Sequence, residues 1–178
     1  LSAEINKINN AKMVCVVDNS IRKVAELGFK INQATTLVTQ QIIFAQMLID
    51  YHMSAISHDV CCYSRSIWDC VAYTALLADR KGNEYWNTED DKKQYRSIVT
   101  TRSGMELIAS TLHYDHILVL DPRGNNYNEK DGVRDNDEKF RLLTHETLIS
   151  VLDWRKVEYT LIKDINQWLD ELKITIGE

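Results

Sequence analysis

CCYSRSIWDCVAYTALL (residues 61–77) passes from a short apolar run into an amphipathic segment, and its reading decides the fold. Ile67, Trp68, Val71, Ala72, Ala75 and Leu76 recur at the three- and four-residue spacing of a single helix face, which predicts a helix over 66–79. The run before it, DVCCYS (59–64), is short and continuously apolar at its centre and reads as a buried strand. Ser64-Arg65-Ser66 stands at the joint, the place where an alternating strand-and-helix protein presents side chains to a ligand.

The same alternation extends in both directions. MVCVVD (13–18) reads as a buried strand that runs into Asp18-Asn19-Ser20, residues that cap helices. SIRKVAELG (20–28) reads as a helix with Ser20 as its N-cap and Gly28 as its stop. LVTQQIIFAQMLIDYHM (37–53) predicts a long amphipathic helix with apolar residues at 38, 42, 45, 48 and 49. Residues 92–112 also read as helical, with Gly104 a weak point, and HILVLD (116–121) is a third strand closed by the only proline, Pro122. The polar stretch 123–138 is too long for a simple connector and is a candidate lid. A helix over 139–155, a strand over 157–162 and a closing helix over 164–174 complete the chain. Short apolar strands joined by helices predict an α/β fold, a three-layer parallel sheet with helices on both faces, in one domain over 1–178.

Composition bounds the function. The chain is 44% hydrophobic and 26% charged, the balance of a globular domain, and its net charge of -5 argues against broad nucleic-acid binding. Charged residues interrupt every apolar stretch before it reaches membrane-spanning length, and no secretory signal is visible. Cys15, Cys61, Cys62 and Cys70 form no CxxC, which argues against structural zinc and reads as reduced thiols in a cytoplasmic protein. His113 and His116 are too close for a metal pair on a helix face, and the four tryptophans read as core or rim.

Ligands of doubly wound sheets bind beyond the carboxyl ends of the strands. There the sequence places Asp18, Asn19 and Arg22 after the first strand, and Ser64, Arg65 and Asp69 after the second. Asp121, Arg123, Asp131 and Arg134 follow the third, and Arg141 stands on the next helix. Guanidinium forks match phosphate oxygens, so arginines gathered at one sheet edge point to a polyanion such as a nucleotide. The competing reading pairs each with a nearby acid on the surface. Asp69, one helical turn beyond Arg65, then orients Arg65 or caps the first turn.

QQIIFAQ (40–46), YSRSIWDCVAYTALL (63–77), YDHILVLDP (114–122) and DGVRDNDEKFR (131–141), in that order, resemble the nucleoside and nucleotide kinase branch of the P-loop NTPases. The similarity is to the nicotinamide-riboside kinase-like group often described as AAA-type ATPase domains, and it covers nearly the whole chain. It implies ATP and Mg²⁺ as cofactors and phosphoryl transfer to a small nucleoside or nucleotide, with no nucleic-acid or membrane partner and a possible homo-oligomer. It further implies that Arg65 touches substrate or phosphate, that Arg134 and Arg141 close on the transferring group, that Arg123 serves the nucleotide, and that Asp18, Arg22 and Asp69 lie near the acceptor.

Two departures stand against that resemblance. The family's acid before the arginine is here Ser64, and an acid after its second strand aligns with neutral Asn19, beside Asp18. None of the six glycines has the G-x-x-x-x-G-K-S/T spacing that wraps backbone N–H groups round phosphates. The resemblance therefore implies a first strand, a P-loop and most of a first helix ahead of Leu1, with that strand lying between 59–64 and 116–121. Its absence would leave unpaired backbone groups at about 1–3 kcal/mol each, unless an upstream segment, a rearranged sheet or a partner's strand fills the place. A degenerate, non-catalytic interaction module is the alternative reading.

Overall fold

The computed structural model describes residues 14–17, 20–31, 35–82, 88–123 and 138–163. In chain order these form β1 (Val14–Val17), α1 (Ser20–Glu26), α2 (Leu37–Ser57), β2 (Val60–Tyr63), α3 (Trp68–Gly82), α4 (Glu89–Ala109), β3 (Leu118–Leu120), α5 (Glu138–Arg155) and β4 (Thr160–Ile162). The candidate lid, apart from Arg123 and Glu138, and the predicted closing helix lie outside the described residues.

The expected three-layer parallel sheet is not what the chain forms. The strands make two separate two-stranded parallel sheets, β1 with β2 and β3 with β4. Cys15 stands opposite Cys61 in the first, and Val119 opposite Leu161 in the second. The described residues are mainly helical. The strands span only three or four residues, and their side chains are mostly half-covered instead of sandwiched between helical layers. Apolar surface is buried chiefly between helices, with α3 packed on both α4 and α5.

That role suits the composition of α3. All six residues of its predicted stripe are buried, and Cys70, Thr74, Leu77 and Ala78 are buried as well. A helix covered on nearly every side belongs at the centre of a bundle. Ile67, Val71 and Leu152 meet there with Phe44, Met105 and Val151.

Helix termini follow local chemistry. Thr36 caps α2 by accepting from Thr39 N at 3.2 Å, and Thr88 caps α4 by accepting from Asp91 N at 3.2 Å. Glu89, Asp90 and Asp91 place negative charge at the positive end of the α4 dipole. Gly28, at φ +88°, ends α1 in a conformation that glycine adopts freely. Ser20 departs from its expected capping role. It is already helical, and its hydroxyl donates to Asp50 of α2 at 2.7 Å.

Asp50 also accepts from Lys23 at 2.8 Å and Gln46 at 3.0 Å, so one carboxylate ties α1 to α2. Burial alone would raise its pKa, but the Lys23, Ser20 and Gln46 hydrogen bonds outweigh that and hold it below the usual carboxylate value. The folded value is the lower one, so this contribution is complete above the unfolded pKa of about 3.9 and is lost as pH falls through the native value. Asp50→Asn is expected to cost about 1–2 kcal/mol at pH 7, with the difference from wild type shrinking in urea titrations towards pH 3. A constant difference across that range would show that the carboxylate charge contributes nothing.

Candidate functional site

β3 ends at Leu120, and Asp121 continues its ladder by donating its N–H to Ile162 O at 2.8 Å. That bond fixes the Asp121 backbone and directs the next turn. The Asp121 carboxylate, 13% exposed, accepts from Arg123 N at 2.9 Å and from Arg123 Nε at 3.1 Å. The Arg123 backbone bond and guanidinium hold its pKa below the ordinary value despite burial.

Across from this turn lies the amino-terminal half of α5. Arg141, His145, Leu148 and Leu152 recur at i, i+4, i+7 and i+11, one stripe of the helix. The carboxyl-terminal half of that stripe is apolar and enters the core, where Leu152 is 0% exposed. The amino-terminal half carries a guanidinium and an imidazole on the same line. His145 is only 7% exposed, and its Nε2 is buried without a hydrogen-bond partner. The Nε of Arg141 is likewise buried and unpartnered. Burial pushes the His145 pKa down; Asp121 draws it up and Arg123 opposes it, which places all three within reach of one another's charge.

The second candidate locus follows β2. Ser64 is exposed and donates its N–H to Val17 O at 3.1 Å, extending the β1–β2 ladder. Arg65 donates to Asp69 Oδ1 at 3.1 Å, and Asp69 Oδ2 accepts from Ser66 N at 3.0 Å and Ser66 Oγ at 3.2 Å. Asp69 thus both orients Arg65 and caps the entry to α3, which is the structural alternative for this residue. The link to the β3 locus is aromatic: Tyr73 of α3 meets Phe140 of α5 with ring centroids 6.1 Å apart.

The expected residues therefore separate into three sets. Arg123 lies at the β3 locus with Asp121 and His145, and Arg141 stands one helical turn before His145, while Arg65 and Asp69 form their own pair one aromatic contact away. Arg22 lies exposed on α1, and no contact among the described residues joins it to either locus. Asp18 and Arg134 lie outside the described residues. His145 was not among the expected residues, although a polar residue four positions after Arg141 and seven before Leu152, on a stripe that should be apolar, was a readable signal.

A cavity of about 240 Å³ opens elsewhere, beside Trp68, Tyr114, Arg155 and Glu158, at the amino ends of β3 and β4. Three of its four acidic or basic side chains are already engaged: Arg155 pairs with buried Glu106, which also accepts from Arg102 at 2.8 Å, and His113 pairs with Asp115 at 3.2 Å. It is therefore the weaker candidate.

The unpartnered Arg141 Nε–H calls for an acceptor atom, which a phosphoryl or carboxylate oxygen supplies. Among the described residues, no group of three or more His, Cys, Asp or Glu side chains is placed to hold a metal ion.

No family model matches the chain, and no curated protein matches it. No helix among the described residues is long and apolar enough to cross a membrane.

Proposed function

We propose that the protein takes part in ATP-dependent phosphoryl transfer to a small nucleoside or nucleotide, and that its arginines supply the positive charge of the transfer site. The observation that carries this reading is the Arg141 Nε, buried without an acceptor one helical turn before His145. A buried N–H left unpaired is costly, and an anionic ligand removes that cost. The order of motifs along the chain, with its resemblance to nucleoside and nucleotide kinases, selects a nucleotide phosphate among possible anions.

In this reading Arg141, with Arg134, neutralises charge on the transferring group, and Arg123 holds the nucleotide. Arg65, oriented by Asp69, faces the acceptor together with Asp18 and Arg22. Positive groups fixed in advance stabilise the equatorial oxygens of the transition state without reorganising. The four cysteines are free thiols, which accords with a cytoplasmic site of action.

A second reading has one observation in its favour. Arg65 is already satisfied by Asp69, and the residue before it is an exposed, neutral serine. A non-catalytic interaction module descended from such an enzyme fits that pair. Calorimetry with ATP, followed by label transfer from γ-labelled ATP to a panel of nucleosides and nucleotides, tests both on the natural full-length protein. Binding with transfer is the expected result. Binding without transfer to any acceptor selects the second reading, and no ATP binding at all ends the first.

A further inference from the structure

Helix α2 is apolar on two opposite faces, and the described fold covers one of them. Ile43, Phe44 and Met47 are buried against the core. Half a turn away, Val38, Ala45, Ile49, Met53 and Ile56 are exposed and Ile42 is half-buried. Val38, Ile49 and Met53 are more than half exposed, and Ile56 is 83% exposed. The flanks between the two faces are occupied. Asp50 is held on one side by Ser20 and Lys23 of α1, and Gln41 donates to Thr101 of α4 at 3.5 Å on the other. The outer face has nothing over it among the described residues. A contiguous apolar strip in water marks a place where another surface belongs.

The spacing of the strip indicates what that surface is. Val38, Ile42, Ala45, Ile49, His52 and Ile56 follow one another at intervals of four, three, four, three and four residues. That is the repeat by which one helix packs along another, knobs into holes. Reversed about its own midpoint, the strip matches itself. Val38 falls opposite Ile56, Ile42 opposite His52 and its neighbour Met53, and Ala45 opposite Ile49. The small Ala45 against the branched Ile49 at the centre lets two helices approach closely.

Charge leads to the same partner. α2 has no lysine or arginine, and its one acid, Asp50, is engaged by Lys23. The positions flanking the seam are Thr39, Gln46 and Met53 on one side and Gln41, Leu48 and Ala55 on the other, all uncharged. A second copy therefore meets no like charge, and no charge is present to select a different helix. Membrane surfaces are ordinarily engaged through lysine and arginine beside the apolar face, which α2 lacks. The strip is about 27 Å long. Its exposed side chains offer on the order of 600 Å² per copy, so a pair buries about 1,200 Å², the lower edge of stable interfaces. We infer that α2 is a self-association surface, along which a second copy of this chain lays its own α2 antiparallel across a two-fold axis.

The test measures the mass of the natural full-length protein by sedimentation equilibrium over a concentration series in the micromolar range. The expected result is a monomer–dimer equilibrium with a micromolar Kd. Ile49→Glu places two like charges close to the axis and should raise that Kd at least about 100-fold. Its circular dichroism should be unchanged, because the side chain is exposed in the folded chain. Val38→Glu and Ile56→Lys should each weaken the dimer. Combined in one chain they should restore it, because the antiparallel register sets each new acid against the new base of the other copy. A protein that stays monomeric throughout the series overturns the inference. A dimer that Ile49→Glu leaves unchanged places the contact elsewhere and overturns it as well. Weakening by the single variants without restoration by the double one keeps the surface and overturns the antiparallel register.

Discussion

Replacing Arg141 by alanine is expected to lower the turnover number for phosphoryl transfer by about 10²–10³-fold, while ATP affinity falls by less than about tenfold. Two features of the side chain set this expectation. Its Nε is buried without a partner, so removing that N–H breaks no hydrogen bond and the variant should fold. Its Nε is also shielded from water, and there a fixed cation acts more strongly on developing charge than it would at an open surface. An interaction that strengthens in the transition state lowers turnover more than ground-state binding. Steady-state kinetics with ATP binding measured in parallel separates the two quantities. A large loss of thermal stability with turnover unchanged would instead assign Arg141 to the fold.

Leu152→Ala should cost about 2–5 kcal/mol of unfolding free energy, read as a lower urea midpoint at an unchanged slope. Leu152 is 0% exposed and sits in the core with Val71, Ile67, Met105 and Val151. Truncation leaves a cavity between α3, α4 and α5 that helices of this length collapse around only in part. Domains are stable by about 5–15 kcal/mol, so the loss is a large share of the total. The effect also reaches the site, because Leu152 anchors the same stripe that carries Arg141 and His145. A cost below about 1 kcal/mol would show that α5 can shift to refill the space, and that its stripe is not held rigidly.

Much of the local structure could be read from the chain alone. The six-residue stripe of α3, the Gly28 stop and the extent of α5 follow from periodicity and backbone preference, which act within a few residues. The face of α2 was less legible. Its apolar residues at 38, 42, 45, 48 and 49 mark one side, yet Val38 and Ile49 are more than half exposed, while Gln40, Ile43, Phe44 and Met47 are buried. The helix carries a single acid, Asp50, and no lysine or arginine, so its sequence hardly distinguishes inside from outside. Contacts from distant segments settle the matter: Asp50 is held by Ser20 and Lys23, and Gln40 donates to Thr35 at 3.0 Å.

Sequence by itself determined where the chain turns helical or extended, and which residue types stand at the strand ends. Tertiary structure alone decided that the strands pair as two separate couples and not as one sheet, because backbone hydrogen bonding between strands depends on segments far apart in the chain. It also decided that Arg141 and His145 each carry a buried nitrogen with no partner. Whether a polar group is satisfied depends on what packs over it, whereas the Arg65–Asp69 pair, one helical turn apart, was already legible in the sequence.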